Sequence, residues 1–150
     1  MNRLAPVTLI LCLLFGSAQA QEAEVRQLVD AFVVALENLD WDAFRKCWSD
    51  NPVLYSPTDT LRREGPVFES EWQAQFQQLR QAAAARGVTK PPYLRVDPKD
   101  LRIDFPTLNS AVVTFHLTDA NRPRRRMLVV AKNPAGWKIT HLNNSDIAVR

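Results

Sequence analysis

The chain predicts an α+β domain in which helices pack on one face of a sheet. Apolar residues recur at helical spacing as far as Ala83, the period changes to two beyond Tyr93, and the change occurs once. Helices first and a meander of strands after them is the order of a segregated α+β fold, not of alternating β-α-β units.

The amino terminus reads as a targeting segment. Arg3 is a lone positive charge, Val7 to Phe15 is almost uninterruptedly apolar, and Ala18-Gln19-Ala20 has the small-x-small pattern of a secretory cleavage site. The apolar run falls short of the roughly 20 residues a membrane span requires. Cys12 lies inside it, with Leu11 where lipidation would call for a small residue. Residues 1–20 are therefore expected to be a signal peptide and residues 21–150 a secreted or periplasmic domain with no stable membrane anchor.

Cleavage would leave 130 residues and lower the formal net charge from +3 to +2, because Arg3 is the charged residue removed. A chain of that size buries about two thirds of its unfolded surface, enough for one core. It would keep one cysteine, Cys47, which rules out an internal disulfide and a cysteine-based zinc site. Cys47 lies on an apolar stripe and reads as a small hydrophobe.

Between Glu22 and Leu39, Val25, Leu28, Val29, Phe32, Leu36 and Leu39 form one helical stripe. Asp40 is placed to cap a short second helix, where Trp41, Phe44 and Trp48 keep the helical spacing until Asn51-Pro52 stops it. Trp48 is expected in the core. Val53 to Ser56 reads as a short strand. A third helix starts near Gly65-Pro66, carries Phe68, Trp72, Phe76, Leu79 and Ala83 on one side, and stops at Gly87. Leu101, Ile103 and Phe105 then alternate with polar residues, followed by strands over Ala111–Leu117, Met127–Lys132 and Trp137–Ser145. Turns fall at Asp119-Ala120-Asn121-Arg122-Pro123 and Asn133-Pro134-Ala135-Gly136. Leu128 and Val130 are left open between core and interface.

The final run, Gly136-Trp137-Lys138-Ile139-Thr140-His141-Leu142-Asn143-Asn144-Ser145, resembles the closing strand of the SnoaL-like branch of the nuclear transport factor 2-like superfamily. The segments Asn38–Phe44, Val53–Pro57 and Ala111–Phe115 support the resemblance, which covers about residues 22 to 147. It implies three helices packed on a strongly curved, mixed or antiparallel sheet forming a cone-shaped barrel with an internal cavity, and a homodimer through the outer sheet face. It also implies that Asn143 replaces a histidine, which removes acid–base capacity near neutral pH.

Strict alternation along the last strand puts Trp137, Ile139, His141, Asn143 and Ser145 on one face. Candidate ligand-binding residues are Tyr55, Trp72, Phe76, His116, His141 and Asn143. Proton-abstracting relatives pair a carboxylate with a phenol or imidazole, so the catalytic candidates are Asp59, His116 and His141. Asp59 also fits an ordinary Ser-Pro-Thr-Asp-Thr turn. The two histidines lack the spacing of a metal motif, and no glycine-rich phosphate loop is present, so neither metal nor cofactor is expected.

The run Arg122-Pro123-Arg124-Arg125-Arg126 reads either as a solvated hairpin or as the source of an arginine that clamps a carboxylate. One short basic turn on a +2 domain does not suit nucleic acid. Asn143-Asn144-Ser145 fits a glycosylation sequon, relevant only in a eukaryotic secretory pathway. The leading expectation is a noncatalytic domain binding a small organic molecule. The alternatives are an isomerase, cyclase or hydrolase with an Asp or His base, and a protein-interaction or assembly module.

Overall fold

The computed structural model describes residues 7–56, 62–119 and 122–146. Helix α1 spans Val7–Asn38, α2 Trp41–Lys46 and α3 Gly65–Ala85; the strands are β1 Trp48–Tyr55, β2 Arg62–Glu64, β3 Lys99–Thr107, β4 Ser110–Asp119, β5 Arg122–Asn133 and β6 Gly136–Asp146. All six strands form one curled sheet in the order β2-β1-β6-β5-β4-β3. Its pairings are antiparallel except for the parallel pair β1–β6. The expected barrel is corrected to an open sheet, because β2 and β3 pair on one side each and form its two edges.

Helix α1 buries Val25, Val29, Phe32 and Ala35 against the sheet. It ends where Leu39 turns into the left-handed region at φ 49°, with Leu39 N–H donating to Leu36 O and Asp40 N–H to Ala35 O. This is a Schellman closure with leucine where glycine is usual. Full burial of the Leu39 side chain offsets the backbone cost of about 1–2 kcal/mol. Asp40 Oδ1 then accepts from Ala43 N at 3.0 Å and caps α2, as expected.

The second helix is shorter than its periodicity suggests, and Trp48 starts a strand instead of continuing it. The sheet captures this residue: Trp48 pairs with Ile139, and Ile139 N–H donates to Cys47 O at 2.8 Å. Its ring lies 4.7 Å from that of Phe68 and 5.6 Å from that of Phe44, so it is core, as expected. Pro52 is tolerated because it falls where the β1–β6 register shifts. Strand β2 has no counterpart in the sequence reading; its residues are all charged and show no apolar alternation.

Helix α3 buries Phe68, Phe76 and Ala83 and ends before Gly87 at φ 82°. Phe44 lies at the centre of the aromatic core, with Trp72 at 4.8 Å and Phe76 at 5.1 Å. The segment after α3 is tied to the end of α1: Tyr93 and Leu94 N–H donate to Glu37 O, and Val96 N–H to Glu37 Oε1. Arg80 Nη2 donates to Leu39 O at 2.7 Å while its guanidinium stacks over the Tyr93 ring. Leu128 and Val130 are fully buried and belong to the core.

From Gln21 onward α1 is fastened to the sheet. Gln21 Nε2 donates to Leu108 O, and Glu24 Oε2 accepts from Lys132 Nζ at 2.6 Å and Trp137 Nε1 at 2.9 Å. These hydrogen bonds hold the Glu24 carboxyl below its ordinary pKa. Ala18, Gln19 and Ala20 are exposed. Among the described residues, no helix is long and apolar enough to cross a membrane.

Candidate functional site

A bulge in the last strand decides which side chains face the helices. Val130 pairs with Ile139 but Val129 pairs with His141, so Thr140 is an extra residue. The alternation inverts there. Trp137 and Ile139 face the helices, then Leu142, buried at 2 %, resumes that face, and Asn144 follows it. His141, Asn143 and Ser145 are exposed on the other side. Strict alternation had put all three with Ile139, and the inserted Thr140 corrects it.

Thr140 Oγ1 donates to Val129 O at 3.0 Å and therefore accepts from His141 Nδ1, also at 3.0 Å. His141 thus makes a local hydrogen bond on the outer surface. His116 is on the same face, with Nδ1 3.6 Å from Asp100 Oδ2. It shares a pocket of 470 Å³ with Arg125, Met127, Asn143 and Ser145. Tyr55 is the register partner of Asn143 and is 40 % exposed.

Trp72 and Phe76 lie on the opposite side of the sheet, in the aromatic core. The six candidate ligand residues are therefore divided by the sheet: Tyr55, His116, His141 and Asn143 outside, Trp72 and Phe76 inside. Asp59 lies outside the described residues. Among the described residues, no group of three His, Cys, Asp or Glu side chains comes together as a metal site.

On the helix side, the curl of the sheet leaves a cavity of 690 Å³ between α3, the segment after it, and strands β4 and β5. Leu79, Leu94, Val96 and Leu117 provide apolar wall, and the rim is basic. Arg124 and Arg126 enter it because alternation on β5 puts them on the same face as Leu128 and Val130; Arg125 points into the outer pocket. Arg126 borders both spaces. Arg86, Arg95 and Lys99 add positive charge from other segments, and among the described residues the lining has one carboxylate, Asp97. Lys99 Nζ lies 2.7 Å from Asp97 Oδ2 and holds that carboxyl below its ordinary pKa. The site is suited to hold an anion with an apolar body.

The arginine run was the sequence signal for this site. Arg86 and Arg95 had none, because they come from separate segments that only the fold brings to the same rim. Strict alternation would put Asn144 on the face away from Ile139, and the bulge brings it to the side of Ile139. Its Oδ1 is buried beside Arg126, its register partner, and accepts no hydrogen bond from any described group.

A sequence model of the SnoaL-like domain matches residues 25–150. Among curated proteins, none matches the chain in sequence. Solved structures share the fold at low identity. A nuclear transport factor 2-like protein with a cystatin-like fold from Novosphingobium aromaticivorans superposes with a TM-score of 0.70 at 14 % identity, covering 98 % of this chain and 94 % of that one. A candidate dehydratase of the same superfamily from Streptomyces avermitilis gives 0.68 at 13 %, covering 87 % and 99 %. A candidate ketosteroid isomerase from Parabacteroides distasonis gives 0.56 at 21 %, covering 82 % and 85 %.

Proposed function

The chain belongs to the SnoaL-like domain family, and from that premise we propose that it is a secreted or periplasmic, noncatalytic pocket domain that binds a small organic carboxylate. The observation that carries this reading is the pair Arg124 and Arg126 at a 690 Å³ cavity with an apolar wall. A guanidinium is a rigid fork of donors matched to a carboxylate, and an apolar wall accepts the organic remainder. The cavity size lies within the usual range for small-molecule sites, about 300–1,000 Å³.

The noncatalytic part rests on placement. Proton abstraction next to a carbonyl needs a base and an oxyanion donor converging on one substrate. His116 and His141 lie on the outer face, and Asp97 is held as an ion by Lys99, which weakens it as a base. Secretion is supported by the apolar run and small-residue site before Gln21, whose own side chain is hydrogen-bonded to Leu108 O. The outer face, with Tyr55 and Met127 each 40 % exposed, is the surface we assign to a homodimer.

Native mass spectrometry of the protein purified from its own secretory compartment tests the reading. A released organic acid is the expected result; an empty pocket or a neutral ligand would refute it. Replacing Arg126 with Gln should weaken the acid by about tenfold or more, the scale of a charge-assisted hydrogen bond. The similar structures named as candidate dehydratase and isomerase provide the competing reading, an enzyme with Asp59 as base. Turnover of the released acid that disappears in Asp59→Asn would establish it.

A further inference from the structure

We infer that this cavity takes a dicarboxylic acid, with one carboxylate held by the arginines of β5 and the other by Arg86 and Arg95. The inference rests on the carboxylate-binding reading above and adds the class of acid. Among the described lining residues five cations face one carboxylate, a formal excess of four positive charges. That is twice the +2 expected of the whole domain, so the charge is concentrated here. A ligand with a single acid group would leave most of this excess unmet, whereas a second acid group enters with the field instead of against it.

The cations stand on two walls. Arg124 and Arg126 are carried by β5; Arg86 follows the last turn of α3, and Arg95 belongs to the segment after it. Lys99 is already paired with Asp97. Arg86 and Arg95 are exposed to an incoming ligand and make no side-chain hydrogen bond or ion pair with any described residue. The segment carrying Arg95 is held in place, because Tyr93, Leu94 and Val96 N–H all donate to Glu37. The carbonyl end of α3, which would repel an anion, is closed by the N–H groups of Arg86, Gly87 and Val88. The apolar wall suits a methylene chain joining two acid groups. A phosphate monoester has its charge at one end and would leave the arginines of the other wall unmet, so the arrangement favours two separate carboxylates.

The test compares diacids from succinate to pimelate with hexanoate and hexyl phosphate, by calorimetry on the unaltered protein. At least one diacid should bind about tenfold or more tightly than hexanoate, the scale of one further charge-assisted hydrogen bond, and more tightly than hexyl phosphate. Replacing Arg86 and Arg95 together with Gln should bring the preference over hexanoate close to one. Arg125→Gln, altered on the outer face, should keep it. Both replaced positions are exposed, circular dichroism verifies that the double variant folds, and the comparison of ligands on the unaltered protein stands without it. Hexanoate binding as tightly as every diacid, hexyl phosphate binding tightest, or a preference that survives the double replacement would overturn the dicarboxylate assignment. In each case hexanoate binding would leave the carboxylate reading standing. Binding of none of the acids would overturn both.

Discussion

The bulge at Thr140 is tested most directly by replacing His141 and Leu142 separately with alanine. In the structure Leu142 is 2 % exposed and stands between Leu54 on β1 and Leu128 on β5, its register partners. Truncating a leucine enclosed in this way costs about 2–5 kcal/mol, so about 3 kcal/mol is expected. With a urea dependence of roughly 2 kcal/mol per molar for a chain of this size, the midpoint should fall by about 1.5 M. His141 is exposed and makes one side-chain hydrogen bond, to its neighbour Thr140. Its replacement should change stability by no more than about 0.5 kcal/mol, or about 0.25 M in midpoint. Urea unfolding followed by tryptophan fluorescence and circular dichroism reads both. The strictly alternating strand makes the reverse prediction, with His141 inside and Leu142 outside. A large loss for His141→Ala beside a negligible one for Leu142→Ala would refute the bulge.

Other consequences of the fold can be checked in the same assays. Glu24 is held below its ordinary carboxyl pKa by hydrogen bonds from Lys132 and Trp137. Its contribution is present above the unfolded pKa and is lost as pH falls through the lower, folded one. The midpoint advantage over Glu24→Gln should therefore be constant between about pH 7 and 6 and shrink on further acidification below about pH 4.5; an advantage that grows in acid would contradict this. Burial raises the Cys47 thiol pKa, with Lys138 partly opposing it, so the folded protein should react with a thiol reagent near neutral pH much more slowly than the urea-unfolded chain. Comparable rates in the two states would place Cys47 at the surface. A chain starting at Gln21 should unfold within about 1 kcal/mol of the longer one, since Ala18–Ala20 are exposed and the side chain hydrogen-bonded to Leu108 O is that of Gln21. A larger loss would show that the preceding segment packs on the domain.

The sequence by itself determined those parts of the protein in which each residue's role follows from its near neighbours. Val25 to Leu39 and Phe68 to Ala83 are helical stripes whether or not a sheet is present, and Asp40 caps α2 through a contact three residues away. The alternation of Leu101, Ile103 and Phe105, and of Ala111, Val113 and Phe115, likewise marks strands and their buried faces. Family membership was also legible, since the order of these segments and the tryptophan strand survive without any distances. Tertiary structure decided the rest. Trp48 continues a helical spacing, yet hydrogen bonding to β6 outweighs one further turn of helix. Arg62–Glu64 joins the sheet with no apolar pattern because an edge strand needs only a partner's backbone. Lys138 to Leu142 contain no glycine or proline, so nothing local announces that Thr140 is the extra residue; the register with β5 imposes it. That one insertion exchanges Asn143 for Asn144 on the helix-facing side of the sheet. The rim itself was beyond local reading, because a charged site assembled from Arg86, Arg95, Lys99, Arg124 and Arg126 exists only when three distant segments are folded to one place.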